Sequence, residues 1–133
     1  MIHIGRTTEP SIEELARLAA AFRSMPQSKL FGVLPDGRTR AQGGHQLAML
    51  LAATGQGIEQ RAATGTPNWR QLPFDGPFVV GDQIAVTGHD LLAGLRALGD
   101  PREPVWSPQG RRVAAADSVA AALEAAAALR ALL

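Results

Sequence analysis

The residues best placed to do chemistry in this 133-residue chain are arginines at two turns. Arg38 and Arg40 follow Pro35-Asp36-Gly37, and Arg111 and Arg112 follow Pro108-Gln109-Gly110. Each cluster precedes a helical stretch, where a cation faces the positive end of the macrodipole and costs roughly a few tenths of a kcal/mol. An anion relieves that cost, because free amides at a helix start and guanidinium groups together suit phosphate or carboxylate. If the clusters converge, Arg38, Arg40, Arg111 and Arg112 form one anion-binding patch. The competing reading is that they only solubilise two exposed tips. Twelve of the 13 basic residues are Arg and 24 residues are Ala, the composition expected of a G+C-rich genome, and this favours the second reading.

Histidine offers less. His45 and His89 each follow a glycine and precede a leucine by two positions. Asp82 and Asp90 could orient them across an interface, as a metal site or proton shuttle. On one helix, however, Asp82 and His89 stand about 10 Å apart along the axis. No His-x-x-x-His or Glu-x-x-His pair is present to build half a metal site, so no metal and no cofactor is expected. An enzyme working at His89 and Asp90 is the least favoured reading. The absence of Cys removes thiol catalysis, Cys-ligated zinc and disulfides, and leaves the redox compartment open. Gly55-Gln56-Gly57 lacks both the preceding strand and the third glycine of a nucleotide fingerprint. There is no Gly-x-Ser-x-Gly elbow and no tyrosine.

With 13 basic against 12 acidic residues, the chain has no global field of the kind that drives polyanion binding, so nucleic acid is not a favoured partner. Met1 to Arg6 lacks the pattern of a secretory signal. The most apolar stretch, Val113 to Leu133, is interrupted by Asp117, Glu124 and Arg130, which argues against a membrane span. The expected location is cytoplasmic.

The elements that must position these residues are helical. Ser11 and Glu14 read as a capping box opening a helix whose stripe is Ile12, Leu15, Leu18, Ala19, Phe22 and Met25, stopped by Pro26. Residues 28–34 fit a short strand or a helical turn equally. Thr39 and Gln42 form a second box, opening a helix to about Ala63 with four internal glycines, each costing up to about 1 kcal/mol unless close packing compensates. Residues 64–78 hold three prolines together with Trp69, Leu72, Phe74 and Phe78, and read as a strap packed on the body. A third helix covers about Val80 to Leu98. Pro104 to Val113 reads as a tight hairpin, and a nearly polyalanine helix capped by Asp117 or Ser118 completes the chain.

The fold class expected is mainly α: one compact domain over residues 1–133, with four helices in two antiparallel pairs and one or two short β-hairpins at the Pro-x-Gly turns. Two self-alignments compete. An offset of 44 places Gly44-His45 on Gly88-His89, and an offset of 73 places Pro35-x-Gly37-Arg38 on Pro108-x-Gly110-Arg111. The last helix is apolar nearly all round, so it is either central in its own fold or covered by another chain. With six aromatic residues to fill a core, the second option is preferred. The expectation is a homodimer through Val119, Leu123, Ala126, Ala127 and Leu133, and a non-enzymatic adaptor or regulatory protein that binds itself and another protein. An anion or nucleic-acid binder using the turn arginines is the alternative.

Overall fold

The computed structural model describes residues 4–133, with side chains described from residue 13 onward. Four long helices carry it: α1 (Ile4–Arg23), α3 (Arg40–Glu59), α4 (Val80–Ala97) and α5 (Ala115–Leu132). A single-turn helix, α2 (Gln27–Leu30), follows α1, and a 3₁₀ turn at Pro77–Val79 leads into α4. The strands β1 (Pro104–Trp106) and β2 (Arg112–Ala114) pair antiparallel, with Val105 opposite Val113. The protein is mainly helical with a short hairpin, as the sequence pattern implies.

Local signals set several boundaries. Thr39 accepts a hydrogen bond from the Gln42 amide, and Gln42 Oε1 accepts one from the Thr39 amide, so the expected capping box opens α3. Both Pro-x-Gly turns close in the same way. The amide of Gly37 donates to the Leu34 carbonyl and that of Leu34 to the Arg38 carbonyl; Gly110, Ser107 and Arg111 repeat this pattern. Gly37 and Gly110 have φ of 93° and 79°, the left-handed conformation a bulged hairpin turn demands and glycine adopts without a Cβ penalty.

Three boundaries differ from expectation. Helix α1 begins at Ile4, ahead of Ser11, and runs through Pro10, which supplies no amide to the carbonyl four residues back. The Ser11 side chain, and with it the expected first capping box, lies outside the described residues. Residues 27–34 divide between both expected states: α2 comes first, and Val33 then bridges Thr39. Helix α5 starts at Ala115 rather than at an Asp117 or Ser118 cap, because the amides of Ala115 and Ala116 donate to the carbonyls of Glu103 and Pro101. Backbone from the preceding loop thus does the work of a capping side chain.

The offset of 73 is the one the structure obeys. It carries α1 onto the 3₁₀ turn and α4, and the Val33–Thr39 bridge onto the Trp106–Arg112 pair. Each half is therefore a helix–hairpin–helix unit, with two extra strand residues before the last helix of the second. Within a half the long helices scarcely touch, and nearly all packing is between halves. Helix α1 lies antiparallel on α4, with Leu15 against Gly88 and Ala19 against Gly81. Helix α3 lies antiparallel on α5, with Gly43 against Leu129, and parallel to α4, with Gly44, Gly55 and Ile58 meeting Val80, Leu91 and Gly94. The core is the set of side chains facing this interlock, among them Phe22, Leu51, Ile58, Ile84 and Leu91.

Helical glycines make the interlock close enough. A Cβ on Gly44 would sit 2.5 Å from Val80 Cγ1, and one on Gly57 would sit 1.8 Å from the Trp106 carbonyl oxygen. Glycine's helix penalty is thus offset by contacts that no other residue permits. Gly55 is different, since its nearest neighbour would be Leu91 Cα at 3.7 Å. Gly57→Ala should therefore destabilise the fold by about 3 kcal/mol or more by pushing the hairpin off α3. Gly55→Ala should be neutral or stabilise by up to about 1 kcal/mol. Urea unfolding of the two variants checks the contrast.

Candidate functional site

The four turn arginines have different fates. Arg38 donates from Nη2 and Nε to Asp36, at 2.6 and 3.0 Å, and from Nη1 to Gln46 at 2.9 Å. The side-chain hydrogen bond from Arg38 holds the Asp36 carboxyl below its ordinary pKa. The contact therefore contributes fully above the usual aspartate range and is lost as pH falls through that lowered value. Arg40 Nη1 donates to the Lys29 carbonyl at 3.3 Å. Arg112 stacks 4.0 Å above the Trp106 ring and donates to the carbonyls of Arg61 and Ala63 at 2.6 and 2.7 Å. It thus satisfies two carbonyls of the turn that follows α3. Arg111 makes no side-chain hydrogen bond or ion pair among the described residues and borders a cavity midway along α3.

These positions do not meet at one point. Gln46, the partner of Arg38, is in the second turn of α3, whereas Arg61 and Ala63, the partners of Arg112, follow its last turn about 20 Å away. The helix starts behind the clusters also have internal partners: the Thr39 box at α3, and the Glu103 and Pro101 carbonyls at α5.

The histidines part company too. His45 bonds through Nε2 to the Leu72 carbonyl at 2.7 Å and meets the Phe74 ring edge-on at 5.2 Å. His89 is exposed and borders a shallow cavity of about 200 Å³ between α1 and α4, whereas Asp90 faces the groove between α3 and α4. Neighbours on a helix point about 100° apart, so His89 and Asp90 serve different grooves. Asp82 pairs with Arg23 at 2.6 Å rather than with a histidine. Among the described residues no cluster of three or more His, Asp or Glu side chains could hold a metal ion, and no helix is long and apolar enough to cross a membrane.

Sequence reasoning missed the side chains that fix the strap. Gln56, 4% exposed, donates from Nε2 to the Asn68 carbonyl at 2.9 Å and accepts from the Arg70 amide at 3.0 Å, gripping the backbone on both sides of Trp69. Gln83 donates to the Pro73 carbonyl at 2.8 Å, and Arg70 pairs with Glu59 at 3.2 Å. Together with His45 they stretch residues 68–73 along the groove between α3 and α4. An open cavity of about 320 Å³ remains beyond the strap, bordered by Leu51, Gly55, Glu59, Arg70, Thr87 and Asp90. No local pattern marks Gln56, because its partners, the Asn68 carbonyl and the Arg70 amide, lie 12 and 14 residues away. Trp69 and Trp106 are both half-buried. The Trp106 indole N–H donates to the Ala63 carbonyl at 3.3 Å, which keeps its polar edge at the rim.

The residues expected at a dimer interface are also divided. Val119 and Ala126 are buried in the chain's own core, Leu123 and Leu133 are half-buried against it, and Ala127 is exposed. Helix α5 has a solvent face after all. It consists of Ala120, Ala121, Ala127, Ala128 and Ala131 with Asp117 and Glu124, and alanine tolerates water there at little cost.

Apart from Val86 on α4, the large apolar residues that are exposed lie away from α5. Phe31, Phe74 and Phe78 are 49%, 46% and 62% exposed and Val33 is 65% exposed, so three of the four phenylalanines are outside the core. They gather at the end of the bundle where α3 and α4 begin. Phe31 follows α2, which packs on the 3₁₀ turn bearing Phe78, and Phe74 rests on His45 in the second turn of α3.

Comparison of the chain with protein-family models, curated proteins and solved structures finds no match. The geometry alone therefore carries the functional reading. Gln56→Ala should release the strap. Loss of two buried hydrogen bonds should cost about 1 to 3 kcal/mol and shift Trp69 emission to the red, both measurable by fluorescence-monitored urea unfolding.

Proposed function

We propose that this chain is a non-enzymatic interaction protein that pairs with a second copy of itself through the aromatic end of its bundle. The observation that carries this reading is the exposure of Phe31, Phe74 and Phe78 together with Val33. About half of each phenylalanine surface is left in water, so the patch amounts to roughly 400 Å², the size at which exposed apolar surface on a monomer marks a contact site. The choice of a second copy rests on charge. Lys29, beside Phe31, and Asp75, beside Phe74, place both signs on the rim, and a two-fold contact brings opposite signs together without a strongly charged partner. Two such patches bury about 800 Å², below the roughly 1,200 to 2,000 Å² of standard interfaces, so the pairing is weak and concentration-dependent.

Such a location departs from the α5 interface expected from sequence, because Val119 and Ala126 are already covered within the chain. Sedimentation velocity across a concentration series tests it. The expected result is a monomer–dimer equilibrium that Phe78→Asp weakens at least about tenfold and that Ala127→Arg, on the exposed α5 face, leaves intact. A chain that stays monomeric up to about 1 mM, or a dimer broken by Ala127→Arg and not by Phe78→Asp, would overturn the reading.

A further inference from the structure

We propose that the cavity between the second Pro-x-Gly turn and the α3–α5 contact binds a small zwitterion of the α-amino acid class, with Arg111 taking the carboxylate and Asp117 the ammonium group. The cavity holds about 110 Å³ and is bordered by Thr54, Ser107, Arg111, Asp117 and Ser118. It lies on the hairpin flank of the bundle, away from the aromatic end, and the inference does not rest on the pairing proposed there.

The argument starts from the two halves of the fold. The turns at Pro35 and Pro108 share backbone hydrogen bonds, a left-handed glycine and a following arginine. In the first turn the residue before glycine is Asp36, whose carboxylate accepts from both the side chain and the amide of Arg38. At the equivalent position the second turn has Gln109, which carries no charge. The Arg111 amide donates instead to Ser107 Oγ at 3.3 Å, and the guanidinium is left without a carboxylate among the described residues. The backbone turn that in the first half supplies its arginine with a carboxylate is retained in the second half with that carboxylate missing. A ligand carboxylate completes it, and a guanidinium fork binds one in two parallel hydrogen bonds.

A second, independent observation marks the same cavity. Ser118 is 4% exposed and its Oγ has no hydrogen-bond partner among the described residues. A buried hydroxyl in that state carries a desolvation cost, which a ligand atom removes when the Ser118 side chain turns into the cavity. Thr54 and Ser107, 0% and 5% exposed, form the wall behind the lining, where Thr54 donates to the Leu50 carbonyl at 2.8 Å and Ser107 Oγ accepts from the Arg111 amide.

Asp117 decides the class of ligand. It lines the cavity and forms no ion pair among the described residues, either with Arg111 or elsewhere. A simple anion would meet repulsion from Asp117 and a simple cation repulsion from Arg111. A molecule carrying both charges a few bonds apart satisfies both side chains. The cavity, about 110 Å³ and open to solvent, has room for the charged groups of such a molecule, and glycine, L-alanine and L-serine are the smallest probes of the class. Because Arg111 and Asp117 are exposed at the mouth, the attraction is screened by salt and binding is best read at low ionic strength.

Thermal unfolding of the full chain with glycine, L-alanine or L-serine up to about 10 mM is the test, since any ligand that prefers the native state raises the melting temperature. The expected result is a rise with at least one amino acid that acetate, phosphate and methylammonium do not reproduce. Arg111→Gln and Asp117→Asn should each weaken binding at least about tenfold, while Arg38→Gln, at the equivalent turn, leaves the rise in place. Ser118→Ala should weaken binding several-fold and yet raise the melting temperature of the ligand-free chain, because it deletes an unpartnered buried hydroxyl. No rise with any of the three amino acids, an equal rise with acetate or phosphate, or a rise that survives both Arg111→Gln and Asp117→Asn would overturn the proposal.

Discussion

The close parallel contact between α3 and α4 is the constraint on which the rest of the structure depends. Gly44 admits Val80 and the Phe22 ring to the space a Cβ would fill, and Gly57 admits the Trp106 carbonyl on the adjoining surface of α3. Through the first contact α1 is seated as well, because Phe22 belongs to α1 and Gly81 of α4 accepts the Ala19 and Arg23 backbone. Through the second the hairpin is seated, and with it the start of α5, whose first amides depend on carbonyls in the loop before β1. Two glycines on one helix thus set the distances at which the remaining elements must pack, and close-packed interiors leave little room for those distances to relax.

Interlocking halves explain why this arrangement is economical. A helix–hairpin–helix unit whose two long helices scarcely touch has no core of its own, so neither unit can bury its apolar stripes without the other. Repeating the unit allows each helix to find its partner in the opposite half. The repeated hairpin does a different job each time. In the first half it delivers Thr39 as the cap of α3; in the second it carries Trp106 and Arg112 against the far end of the same helix. The two hairpins therefore flank α3, one capping its first amides through the Thr39 hydroxyl and the other placing the Arg112 guanidinium on the Arg61 and Ala63 carbonyls just past its last turn.

The two similar turns differ in how their arginines are neutralised. Evolutionary or chemical equivalence of two turns does not require equal surroundings, and the replacement of Asp36 by Gln109 at the matching position changes an internally neutralised arginine into an open one. At the opposite end, the strap that joins the halves must cross the mouth of the α3–α4 groove. Gln56, Gln83 and His45 hold its backbone, while the Phe74 side chain is half in water and meets His45 edge-on.

Much of the local structure was legible in the amino-acid sequence because it depends on chemistry between near neighbours. The Thr39–Gln42 box, the Pro-x-Gly turns, the Leu15, Leu18 and Phe22 stripe and the extent of α4 follow from capping, left-handed glycine and helical periodicity, none of which needs a distant partner. Helix α5 is the counterexample. Its outward Ala127 and its inward Ala126 are the same residue, so no pattern could say which face is covered, and only the position of α3 settles it. The arginines show the same limit. Arg38 finds its carboxylate two residues away and could be read locally, whereas Arg112 finds Arg61 and Ala63 some 50 residues back and Arg111 finds only a cavity. Sequence by itself determined the elements and their turns, which are short-range events. Tertiary structure alone decided which charges were neutralised, which aromatic rings stayed outside and which halves interlocked, since each of these depends on the distance between groups that the chain brings together only by folding.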